Sequence, residues 1–86
     1  MIQRVKVPVS VAFVFNHHRR QTIPTKIQWE GKIYLIEKIG LHHTYRTGRT
    51  LHHVFSVANQ NLFFKLNLDT DNLTWTLEEI SDGLPN

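Results

Sequence analysis

Val5-Lys6-Val7-Pro8-Val9-Ser10-Val11-Ala12-Phe13-Val14-Phe15 places an apolar side chain at every odd position over eleven residues. A period of two belongs to an extended strand with one face turned to a core, because a helix would repeat its apolar positions every three to four residues. Pro8 has no N–H to give to a ladder, which assigns the early part of this strand to an edge or a bulge. The odd-numbered residues of the strand are core candidates.

The rest of the chain repeats the same theme. Asn16 to Thr22 contains no apolar residue and reads as an exposed loop. A short strand over about Thr25 to Trp29 meets a tight turn at Glu30-Gly31, and Lys32 to Ile39 reads as the next strand. Arg46-Thr47-Gly48-Arg49 turns into a strand over Leu51 to Ala58, and Asn59-Gln60-Asn61 turns into Leu62, Phe64, Leu66 and Leu68. Asp69 to Asn72 then turns into Leu73, Trp75 and Leu77. A four-residue turn there pairs Leu68 with Leu73, Leu66 with Trp75 and Phe64 with Leu77 on one face, and the preceding hairpin extends it by pairing Val57 with Leu62 and Phe55 with Phe64. With Leu51 these form the expected core. Leu73, Leu77 and Ile80 also fit helical spacing, with Asp71 as cap and Gly83 as terminator, but Thr74 and Thr76 around Trp75 favour the strand. With no helix to cover the apolar face, the sheet must curl over it. The expected fold is all-β: a single small antiparallel meander curled into a barrel-like sheet of five to six strands over residues 1–80, with a tail over 81–86.

Length and composition narrow the function. Eighty-six residues hold one small domain, and the absence of cysteine excludes disulfides, thiolate metal sites and thiol nucleophiles. No segment approaches a membrane-spanning length and the N-terminus opens directly on patterned sequence, so a soluble, cytoplasmic protein is expected. The net charge of +3 is unevenly spread: residues 1–65 carry all ten Lys and Arg against Glu30 and Glu37, whereas 66–86 carry five acids and no base. A basic body suits a polyanion; the alternative is that the two segments neighbour each other and neutralise.

Six histidines fall in three adjacent pairs, His17-His18, His42-His43 and His52-His53. An odd-length turn around Gly48 sets Ile39 against Val57, Leu41 against Phe55 and His43 against His53 on the core side, with His42 and His52 as outer diagonal neighbours. An even turn sets His42 against His53 but scatters the apolar residues. Two imidazoles on facing strands fall short of the three or four ligands zinc takes, so no metal or other cofactor is expected. Arg19-Arg20 and Arg46 to Arg49 are the basic loops. Arginine forks, an open backbone at Gly48 and nearby rings make Arg19, Arg20, Arg46, Arg49, His42 and His52 the candidate nucleic-acid-binding residues. The other reading is a protein-interaction or self-associating module that uses a strand edge or outward-facing Tyr34, Ile36 and Phe63. The sequence contains no Gly-rich phosphate loop, no Gly-x-Ser-x-Gly elbow and no His-Glu-x-x-His helix, so a non-enzymatic role is expected.

The run Ile27-Gln28-Trp29-Glu30-Gly31-Lys32-Ile33-Tyr34-Leu35-Ile36, together with Phe63-Phe64-Lys65-Leu66 and Leu73-Thr74-Trp75-Thr76-Leu77, resembles a family of small uncharacterised bacterial β domains. In that family a Trp-x-Gly-x-x-Tyr turn opens the pattern and a Trp-x-Leu strand followed by an Asp, here Asp82, closes it. The resemblance spans residues 24–82 and implies a compact β domain, found alone or appended to translesion-type DNA polymerases, and hence a role near DNA repair. It implies no catalytic residues. The chain departs from the family where His42-His43 replace a Trp.

Overall fold

In the computed structural model, which describes residues 1–83, seven strands form one antiparallel sheet and no helix is present among the described residues. The strands are β1 (Ile2–Asn16), β2 (Gln21–Trp29), β3 (Lys32–Leu35), β4 (Lys38–Thr47), β5 (Thr50–Asn59), β6 (Leu62–Asp69) and β7 (Thr74–Ser81). They lie in the order β3-β2-β1-β7-β6-β5-β4, so each hairpin pairs with the next and β7 returns to β1. The one missing ladder is between β3 and β4, which makes the curled sheet a half-barrel with an open seam.

The strand count exceeds the expected five to six because Lys32 to Ile39 is not one strand. Ile36 donates its N–H to the Thr25 carbonyl on β2, and Glu37 donates to the Ala58 carbonyl on β5. The chain therefore changes partner between neighbouring residues, leaving β2 and joining β5. The Asn59 side-chain amide clasps the Leu35 carbonyl at this crossing. β2 is longer than expected, reaching back to Gln21, because Gln21 and Thr22 complete a ladder with Asn16 and Phe15.

β1 divides its partners in the same way. Ile2 to Val9 pair with β7, and Ser10 to Asn16 pair with β2. Pro8 pairs with Thr76 of β7 on one side, and the β2 ladder on the other side begins only at Ser10, so this part of β1 is an edge on its β2 side. Just before it the register slips between Arg4 and Val7, where Lys6 takes φ 47°. The bulge and partner exchange let one long strand serve both halves of the curl. Glu30 (φ 52°) and Gly31 (φ 76°) form the tight β2–β3 turn, and Gly48 (φ 61°) opens the two-residue β4–β5 turn; positive φ favours glycine at both glycine positions.

Ile27, Phe55, Val57, Phe64, Leu66, Leu68, Trp75 and Leu77 form the core, with Val5, Val7, Val9, Val11 and Trp29 packed around it. Period-two alternation therefore places most expected core residues correctly. The β5–β6 register and the turn-side half of β6–β7 are shifted by two residues: Val57 pairs with Phe64, Phe55 with Leu66, Leu66 with Leu77 and Leu68 with Trp75, while beyond a slip between Lys65 and Leu66 the expected Phe64–Leu77 pair is replaced by Phe64–Ile80. An even shift keeps every side chain on its face, so these residues stay in the core. Leu73 does not, because the β6–β7 turn extends through it at φ 58° and leaves it 60% exposed. Tyr34 and Ile36, expected on the outer face, pack against the core, while Phe63 does lie exposed. Ser81, expected in the tail, is the last residue of β7 and pairs with both Ile2 and Phe63; residues 84–86 lie outside the described residues.

Replacing Leu66 by Ala should cost about 2–5 kcal/mol through the cavity left in a fully enclosed site, whereas Leu73→Ala should stay within about 0.5 kcal/mol. Urea unfolding of both variants measures the contrast; equal losses would return Leu73 to the core.

Candidate nucleic-acid interface at the seam

Four antiparallel steps separate β1 from β4, so the two strands run in the same direction and their C-terminal turns share one end of the half-barrel. These turns carry Arg19 and Arg20 on one side and Gly48 and Arg49 on the other, with Arg46 at the end of β4. Topology thus sets the two basic loops toward the same end of the sheet, and of their four arginines Arg19 lines the seam. All four arginines are exposed, and none of them meets a carboxylate among the described residues.

A cleft of about 360 Å³ occupies the seam between the start of β2 and the open edge of β4. Arg19, Gln21, Thr22, Ile39 and His42 line it, with Phe55 behind, and no acidic residue contributes to its wall. The histidine pairing differs from the expected one. Thr47 pairs directly with Thr50, so His42 faces Phe55, His43 faces Val54, Thr44 faces His53 and Tyr45 faces His52. The slip between Ile39 and His42 then restores the expected pairing of Ile39 with Val57. This bulge, at Gly40 and Leu41, explains why no single register could satisfy both the apolar residues and the turn. It puts His42 rather than His43 on the inner face beside His53.

His42 stacks on Phe55 with ring centroids 4.2 Å apart and planes 11° apart. Its Nε2 lies 2.8 Å from His53 Nδ1, so one of the two nitrogens carries the proton they share. Burial pushes both imidazoles below their ordinary value of 6.5, and the His53 and His43 charges add to the depression at His42.

The inner row of β1 reaches the same mouth. Phe13 and Phe15, expected in the core, are 37% and 62% exposed. Phe13 leans on Trp75 at a centroid distance of 5.4 Å, and Phe15 pairs with Thr22, a wall residue of the cleft. Alternation gave their face correctly, but the sheet beyond Ser10 outruns the strands that would cover it. Local periodicity carries no mark of that exposure.

His52 and the acidic segment lie elsewhere. On the outer face the buried Asn67 donates to the Tyr45 hydroxyl at 2.9 Å and to Glu78 Oε1 at 3.0 Å, while its Oδ1 lies 3.0 Å from His52 Nδ1. Since an amide oxygen only accepts, His52 carries its proton on Nδ1. Tyr45 stacks on His52 at 4.7 Å. Glu79 lies 3.8 Å from Arg4 and 4.0 Å from Lys65, and Asp82 takes the N-terminal ammonium at 2.8 Å. Part of the charge asymmetry therefore neutralises between neighbouring strands. Asp71 accepts from Thr50 Oγ1 at 2.5 Å at the adjoining turn.

Among the described residues no cluster of three or more His, Asp or Glu is placed to hold a metal ion, and no helix is long and apolar enough to cross a membrane. Comparisons with family models, curated proteins and solved structures found no match to this chain.

The depressed imidazoles set a pH dependence. Between the native values and 6.5 the unfolded chain binds more protons than the folded one, so stability rises with pH through that window and levels off above it. The melting temperature should hold steady from pH 8 to about pH 7 and fall as the pH drops below 6.5. A double replacement, His42→Gln with His53→Gln, should flatten that fall in a calorimetric pH series; an unchanged slope would assign it to other groups.

Proposed function

We propose that this chain is a non-enzymatic β module that binds nucleic acid at the mouth of its seam. The observation that carries the reading is the cleft wall: Arg19 and His42 line one cavity with no acidic residue in its wall, while Arg20, Arg46 and Arg49 are exposed on the adjoining loops and strand end. Arginine forks fit phosphate oxygens bidentately, and exposed arginines without a carboxylate partner draw a polyanion. Arg46 alternates onto the same face of β4 as His42, which supports placing it with Arg19 in the site. His52 takes no part in this version, because it is held on the outer face by Asn67. The resemblance over residues 24–82 to domains appended to DNA polymerases supports an accessory role in DNA repair, within the cytoplasm of a bacterial cell.

The competing reading is a protein or self-association module. The open edge of β4 favours it, since Leu41 there is 71% exposed. Fluorescence anisotropy with labelled oligonucleotides across a salt series separates the two. Binding in the micromolar range should weaken steeply with salt, and Arg19→Ala/Arg46→Ala should weaken it about ten-fold or more and reduce the salt slope by about two. Absence of binding at low salt, with a mass that grows with protein concentration, would replace this reading by the association module.

A further inference from the structure

The cleft also selects among nucleic acids. We infer that it takes the unpaired bases of a single strand in preference to a duplex, an inference that rests on the nucleic-acid reading above.

Three features of the mouth converge on this. The first is size: at about 360 Å³ the cleft lies near the lower end of ordinary small-ligand pockets, about 300–1,000 Å³, so it suits a unit the size of a nucleotide and excludes a double helix. The second is exposed aromatic surface on the concave side. Phe15 is 62% exposed and Phe13 37%, both on the inner row of β1, with Phe15 beside Thr22 of the cleft wall, and the His42 ring stands across the seam. Every base has a π face, so a row of open rings takes bases in any sequence, but only bases free of a partner strand. In a duplex those faces are buried in the stack. The third is the polar lining. Gln21 and Thr22 offer side-chain donors and acceptors, and beyond the Thr25 carbonyl, which takes the Ile36 N–H, the seam-side edge of β2 has no ladder partner among the described residues. Such groups can meet the Watson–Crick edge of a splayed base, an edge that pairing occupies in a duplex. Arg19 in the wall, with Arg46 further along the inner face of β4, would hold the flanking phosphates. This is the combination of stacking platform and positive groove found in single-strand binders.

The test uses the full chain with labelled DNA and RNA oligonucleotides, each as a single strand and as a blunt duplex of the same length, at one low salt concentration. Each single strand should bind at least about ten-fold more tightly than its own duplex. Phe15→Ser should weaken single-strand binding about ten-fold, the loss of one stacked base, and leave duplex binding unchanged. Phe15→Tyr, which keeps the ring, should retain the affinity. Phe15 is exposed, so unchanged melting temperatures are expected and identify any variant that fails through folding. Equal affinity for strand and duplex, or tighter duplex binding, or a Phe15→Ser variant that binds single strands like the parent, would overturn the inference while leaving nucleic-acid binding in place. No binding by any of the four ligands would overturn both.

Discussion

The Phe55 ring joins the two things this small sheet must do. It is 1% exposed, with Trp75 tilted against it at 5.7 Å and His42 stacked on it at 4.2 Å. Trp75 in turn meets Phe13, so a chain of ring contacts runs from β1 through β7 and β5 to β4. Without a helix to cover the apolar face, the two ends of the sheet must be brought over the same residues, and this chain of rings is where they meet. Its inner members are core and its outer members line the seam. Folding and the proposed recognition therefore draw on one set of contacts.

The seam follows from how the curl is closed. β1 exchanges β7 for β2 at Val9 and Ser10, and the Ile36–Glu37 crossing exchanges β2 for β5. Two such exchanges bend the sheet on itself with few residues. The second is a passage of chain and not a ladder, so beyond it the edges of β2 and β4 diverge with backbone groups unpaired. Open edges are usually a liability in β proteins. Here they flank a cleft walled by arginine, histidine and glutamine, and charge on the rim discourages pairing with another copy.

Alternation made the inward face of β1 and of β5 to β7 legible in the sequence, since a two-residue slip in register leaves it unchanged. Turn lengths were less legible: Leu73 fits a strand by pattern but is spent in the turn. The histidine geometry depended on a bulge at Gly40-Leu41, and nothing in composition distinguishes a bulged register from a regular one. The basic loops were identifiable from their residues alone. That they share one end of the molecule is a matter of topology, which sets β1 and β4 parallel. Exposure of Phe13 and Phe15 is a consequence of unequal strand lengths across the sheet, a long-range property that local periodicity does not carry.

The proposed function depends on where a nucleic acid touches the protein. Amide chemical-shift mapping of the isotopically labelled chain during titration with a short single-stranded oligonucleotide answers this directly. Shifts concentrated on residues 13–23 and 39–46, with the Asn67, Glu78 and Glu79 amides of the outer face unmoved, are the predicted result. Shifts centred on that outer face, or none at saturating oligonucleotide, would contradict it.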